Sequence, residues 1–238
     1  MLTLGIDLAS MPKDTAACLV RWERGRAVAE ALRVGCTDAD LDALIREADV
    51  IGIDAPFGWP ETFRTAVADW TGTAWTDNAE LRESLRLRLT DRRVHERLGL
   101  MPLSVSTDRI ALPAMRAMAL LRRHGVTDRS GDGRFFEVYP AGSLKAWGLP
   151  HRGYKGSGKP ERARRTATLR RLRAALPWLK FPAACAATDH CLDALLATLT
   201  ARCCATGRTA GPTAAERATG AREGWIHLPT ALPLPAAD

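Results

Sequence analysis

The tripeptide Gly-Ile-Asp occurs twice in this chain, as Gly5-Ile6-Asp7 and as Gly52-Ile53-Asp54, each time closing a short apolar run. Leu2, Leu4, Ile6 and Leu8 alternate with Thr3, Gly5 and Asp7, the period of two expected of a β-strand packed on both faces. Val50-Ile51-Gly52-Ile53-Asp54 repeats the arrangement, so glycine and aspartate share a face in each strand. An ionised carboxylate in a covered strand is expensive unless something cationic compensates it. Two of them at matching positions require either separate basic partners or a shared metal ion. The glycine two residues before each aspartate clears that face for a helix or a ligand.

The segments between and after these strands suggest how they are assembled. Thr15 to Trp22 and Arg26 to Val34 read as two further strands that complete an antiparallel meander. A helix over Asp38 to Glu47 follows, with the cap-type residues Thr37 and Asp38 at its start. Such a crossover permits Val50–Asp54 to pair in parallel with the first strand. From Pro56 to about 130 the pattern is helical and rich in tryptophan and arginine, broken by Gly58-Trp59-Pro60, Gly72, Gly99 and Pro113. This reads as a helical insertion. A short strand, Phe135 to Tyr139, is expected to stop at Pro140. A basic loop covers His151 to Pro160, and a basic helix runs from about Glu161 to Ala175. In Ala184 to Cys204 an apolar stripe of Leu192, Leu195, Leu196 and Leu199 predicts a helix. His190 and Asp193 lie off that stripe, one turn apart. Trp225 to Pro229 is expected to dock on the domain, ahead of a Pro-rich tail over about 229–238.

At 238 residues, 46% hydrophobic and 26% charged, the chain can bury a full core as one domain, and wholesale disorder is excluded. It opens MLTLGIDLASMPKD, without a basic leader followed by an apolar stretch, and no segment reaches the roughly 20 apolar residues of a membrane span. The expectation is a soluble cytoplasmic protein with no membrane partner. Its six cysteines form no C-x-x-C pair and are expected to be reduced, mostly buried thiols. The net charge of +7 suits a polyanionic or phosphorylated partner, or simply a basic solvated surface.

Asp7 and Asp54 suit a Mg²⁺ or Mn²⁺ site, because hard cations take carboxylate oxygens and complete their shell with water and phosphate. Asp193 is the natural third ligand. His190 is a candidate fourth ligand or water-positioning group, while Asp189, one turn before Asp193, is a candidate helix-cap acid. Glu137 is either a further metal or base position or a carboxylate paired with an arginine at a sheet edge. Arg88 and Asp91 either grip a substrate anion or form a local ion pair.

The order Gly5-Ile6-Asp7, Gly52-Ile53-Asp54-Ala55-Pro56-Phe57-Gly58, Arg88-x-Thr90-Asp91, Glu137-Val138-Tyr139-Pro140 and Asp193-Ala194-Leu195 resembles the domain-of-unknown-function family 429. The ending Glu223-Gly224-Trp225-Ile226 fits it too. That family is described as predicted nucleases, so the resemblance implies an α/β domain with a ribonuclease H-like mixed sheet. This sheet combines an antiparallel meander with parallel strands, is flanked by helices, and carries a helical insertion after its fourth strand. The placement of Asp7, Asp54 and His190-x-x-Asp193 also resembles RuvC-type Holliday-junction resolvases, whose acids at these positions hold two divalent metals. This chain departs in having Asp rather than Glu on the second of those strands, and in its large insertion. The resemblance also implies a loop that brings Tyr154 and Lys155 to the active cleft.

Three other signals are weaker. Arg162, Arg164, Arg165, Arg170, Arg171 and Arg173 either track a phosphate backbone or form a solvated helix, the latter favoured because they occupy several sides. Trp59, Trp70 and Trp75 either stack bases or pack in the core, the latter favoured. Gly153-x-x-x-x-Gly158-Lys159 resembles a P-loop, but Pro160 replaces the metal-binding Ser or Thr and no strand precedes it. The expected function is a metal-dependent nuclease or phosphodiesterase. The alternatives are a non-catalytic nucleic-acid or protein binding module on the same fold and an ATP-dependent phosphotransferase, which would need a glycine-rich hairpin after Asp7.

Overall fold

The computed structural model describes residues 1–71 and 78–235. Gly72 and Trp75 lie outside the described residues, as does 236–238 of the tail. Strand β1 (Leu2–Asp7) pairs antiparallel with β2 (Ala16–Glu23), which pairs antiparallel with β3 (Arg26–Val34). Helix α1 (Asp38–Glu47) is capped by Thr37, whose hydroxyl accepts from the Asp40 amide while the Asp40 carboxylate accepts from Thr37. The chain then enters β4 (Val50–Asp54), parallel to β1 in a register that sets Gly5 beside Gly52 and Asp7 beside Asp54. The insertion contributes α2 (Glu61–Ala68), α3 (Ala79–Arg86), α4 (Leu89–Leu98) and α5 (Ala111–Arg123).

Strand β5 (Phe135–Glu137) adds to β4 in parallel. It ends two residues earlier than expected because Val138 donates its last ladder bond to Ile53 and Tyr139 turns to cap α6 (Pro140–Ala146). The basic helix α7 (Lys159–Ala175) starts at Gly158, with no strand before it, in accord with rejection of a P-loop. After β6 (Leu179–Lys180), the last long segment is not one continuous helix. A 3₁₀ turn at Ala183–Ala186 precedes α8 (Asp189–Ala205), whose start is set by the Thr188 hydroxyl accepting from the Cys191 amide. A small hairpin, β7 (Thr209–Ala210) with β8 (Leu228–Pro229), and α9 (Arg217–Glu223) close the chain.

The main sheet has the order β5-β4-β1-β2-β3-β6, the ribonuclease H-like arrangement expected. Leu4, Ile6, Ile51 and Ile53 face α1 and α5. Cys18, Val20 and Trp22 face α8. The expectation of an amphipathic α8 is corrected: residues Cys191 to Cys203 are buried all round, because the sheet covers one side and α6, the 3₁₀ turn and the final hairpin cover the other. Trp225 and Ile226 are buried, and His227 donates its amide to the Glu137 carbonyl, so this segment docks against β5. Trp70 contradicts the core-packing expectation, being 61% exposed, whereas Trp59 is half-buried. All six cysteines are free thiols. Among the described residues no helix is long and apolar enough to cross a membrane.

Candidate active site

The two repeated glycines decide where α8 lies. A Cβ on Gly5 would sit 2.1 Å from the Ala194 carbonyl oxygen, and one on Gly52 2.6 Å from that of Ala197. The helix backbone therefore rests directly on β1 and β4, anchored by Thr3 and Thr198, whose hydroxyls are 2.7 Å apart. This approach carries Asp193 to the strand ends. Asp7, Asp54 and Asp193 each offer a carboxylate oxygen within 4.8 Å of the others.

The three acids are held unequally. Asp193 is buried and accepts from the Tyr154 hydroxyl at 2.8 Å on Oδ1 and from the Lys155 ammonium at 2.8 Å on Oδ2. His190 Nδ1 lies 2.5 Å from Asp7 Oδ2. Asp189 is not the helix cap; its carboxylate accepts from the Gly156 amide at 3.4 Å. Burial pushes Asp193 up to about 6 against the pull of Lys155. Burial also raises Asp54 well above the usual carboxylate range; Lys155 opposes this, while Asp193 and Asp7 add to it. For Lys155, whose side chain is partly exposed, crowding of the ammonium against the protein works against the charge, but the carboxylates of Asp193 and Asp54 outweigh it and hold the ammonium above its ordinary value. The hydrogen bond to Asp7 raises His190.

Arg165 was expected at the surface with its neighbours on α7. It is instead buried, and its guanidinium donates to the carbonyls of Tyr154, Gly156, Ala186 and Ala187. It thereby ties the Tyr154-Lys155 loop to the approach to α8. Its spacing from Thr168, Leu169 and Leu172, also buried, was the sequence signal for this inward face. Arg162, Arg164, Arg170, Arg171 and Arg173 are exposed.

Arg88, Asp91 and Glu137 form a second cluster. Arg88 is 1% exposed, and all five of its N–H groups are used: on Asp91 through Nε and Nη2, on Glu137 through Nη1 and Nη2, and on the Glu223 carbonyl. The reading of Arg88 as an anion grip is corrected, since it has no donor left. Glu137 is in the arginine-paired state and also accepts from the Phe57 amide at 2.9 Å. Burial nevertheless holds it above the usual range, against Arg88. Thr90 accepts from the Ile226 amide, and the Glu223 carboxylate accepts from the first amides of α2 and α4, at Glu61 and Leu89. Gly224, at φ +88°, leaves room for this packing: a Cβ there would meet Glu137 Oε2 at 2.6 Å.

Both clusters border a cleft of about 520 Å³. Asp7, Asp54, Lys155 and His190 line it, whereas Asp193 lies behind Tyr154 and Lys155. Tyr139 and Arg152 line it too, and neither drew a site role from the sequence, although Tyr139 sits in the Glu137-Val138-Tyr139-Pro140 motif and Arg152 in the basic loop beside Tyr154.

The sheet order and the acids on β1, β4 and α8 define an α/β protein of the ribonuclease H-like arrangement with a carboxylate-floored cleft. The chain belongs to the family described as "Protein of unknown function (DUF429)", whose model matches residues 5–217. The match spans both clusters but stops before the Glu223–Ile226 ending. No curated protein matches the chain.

Proposed function

We propose that this protein is a divalent-metal-dependent phosphodiester hydrolase, acting as a nuclease with Mg²⁺ or Mn²⁺. One observation carries the reading: three carboxylates on two adjacent strands and a helix offer oxygens within 4.8 Å of one another, and two of them, Asp7 and Asp54, line a cleft. An all-oxygen donor set of this charge fits a hard cation. Asp7, Asp54 and Asp193 would hold it. When bound, such an ion lowers the pKa of water and neutralises charge on phosphoryl oxygens. Tyr154 and His190 orient Asp193 and Asp7 through one oxygen each. Lys155 supplies positive charge at the same place, to a phosphate or in competition with the metal.

A second reading, binding without hydrolysis, is favoured by one feature: both oxygens of Asp193 and one of Asp7 already have partners. Calorimetric titration with Mn²⁺ and hydrolysis of bis(p-nitrophenyl) phosphate, DNA and RNA separate the two. The proposal expects saturable Mn²⁺ binding and Mn²⁺-dependent hydrolysis, both lost in Asp7→Asn. Metal binding without turnover of any of these substrates selects the second reading. No metal binding at all overturns the assignment of the acids.

A further inference from the structure

The cleft has more surface than the carboxylates use, and its sides differ in chemistry. One side comes from the insertion and is apolar, with Met101, Leu103 and Ile110 lining it. Met101 and Leu103 are 41% and 57% exposed, so this apolar surface is offered to the cleft rather than sunk in the core. The basic loop before α7 supplies Arg152 and Lys155 to the same lining. Lys155 is held by Asp193, and Arg88, which also reaches the cleft, has every donor occupied. Arg152 is exposed and makes no hydrogen bond or ion pair among the described residues, which leaves its guanidinium available to an anion. Tyr139, half-buried in the lining, has a hydroxyl with no partner among the described residues.

We infer that the cleft takes one unpaired nucleotide, with the base against Met101, Leu103 and Ile110 and an adjoining phosphate on Arg152, and that it does not take duplex. The inference rests on the phosphodiester reading above and names its substrate class. A duplex keeps its bases stacked inside and presents phosphates, which an apolar wall does not recognise and which need a track of cations. The exposed arginines of α7 do not line the cleft, so no such track leads into it. An unpaired base, by contrast, has a free apolar face that pairs with apolar side chains without regard to sequence. A volume of about 520 Å³ falls in the range of sites that enclose a single small molecule.

Fluorescence anisotropy at fixed salt tests this, using a labelled oligothymidylate, an abasic strand of the same length, and the thymidylate annealed to its complement. Hydrolysis of bis(p-nitrophenyl) phosphate with Mn²⁺ is followed in parallel. The unpaired thymidylate is expected to bind about tenfold more tightly than the abasic strand or the duplex, the scale of one base packed on a protein surface. Leu103→Asp should bring the thymidylate-to-abasic ratio close to one. Arg152→Ala should weaken both single strands alike and reduce the salt dependence by about one phosphate contact. Both side chains are exposed, and melting curves confirm that the variants fold. Duplex bound as tightly as single strand, or a ratio unmoved by Leu103→Asp, overturns the inference. Diester hydrolysis without base discrimination overturns it while leaving the hydrolase reading intact. Discrimination without hydrolysis of any diester does the reverse.

Discussion

Two groups of carboxylates meet in one cleft, and the contrast lies in what holds them. Glu137 and Asp91 are locked to Arg88, whose planar fork satisfies both and whose burial leaves no room for exchange. Asp7, Asp54 and Asp193 have no arginine. Their cations are His190, one-third exposed and titratable, and Lys155, whose side chain is 56% exposed. The first cluster can only be broken. On the proposed reading the second trades one cation for another, which would separate a scaffold from a site even though both are built from acids largely withdrawn from solvent.

Breaking the closed cluster should have the largest effect. Arg88→Ala strands Glu137 and Asp91 without a counter-charge, and is expected to lower stability by about 3–5 kcal/mol, read from urea or thermal unfolding. Arg88→Lys should not rescue it, because an ammonium cannot reproduce the fork. A melting temperature close to wild type would dissolve the distinction.

Neutralising the open cluster should act in the opposite direction on stability. Asp54→Asn is expected to lower Mn²⁺ affinity at least about tenfold in calorimetry while leaving the fold as stable or more so at pH 8. The sign follows from the raised folded-state pKa of Asp54. The native state keeps that proton longer than the unfolded chain, so wild-type stability falls as pH rises from the unfolded value through the folded one. The variant's advantage should therefore be absent near pH 4 and present at pH 8. Because Asp193 is pushed up to about 6, wild-type Mn²⁺ affinity should weaken as pH falls below about 6. Loss of stability in Asp54→Asn at pH 8 would place Asp54 with the scaffold.

The smallest effect sharpens the comparison most. Lys155→Met removes the cation paired with Asp193, and on the proposed reading Mn²⁺ should bind about two- to fivefold more tightly, the scale of an ion pair with one partner in solvent. Weaker binding in that variant would mean that Lys155 supports the ion rather than competing with it.

Much of the fold was legible because it depends on short-range pattern. Arg26–Val34, Asp38–Glu47 and Val50–Asp54 have the expected ends, and the glycines expected to clear a face for a helix or ligand admit α8. The partners of the charges were not legible. Arg88 meets Glu137 across 49 residues and the Glu223 carbonyl across 135, and nothing near Arg88 in the chain distinguishes a buried fork from a surface grip. Arg165 looked like its exposed neighbours because arginine density concealed one inward position. Trp70 shows the converse, an aromatic residue that the packing leaves outside.

The repeated Gly-Ile-Asp strands and the acid one turn into the last long helix were determined by the sequence alone, because strand and helix periods are local properties of the backbone. Only the tertiary structure decided that Asp193 reaches Asp7 and Asp54, through a backbone approach at Gly5 and Gly52 that tolerates no side chain. It also decided which acids pair with a buried arginine and which pair with a lysine or a histidine. A carboxylate's role depends on the cation that packing brings to it, and that cation comes from far away in the chain.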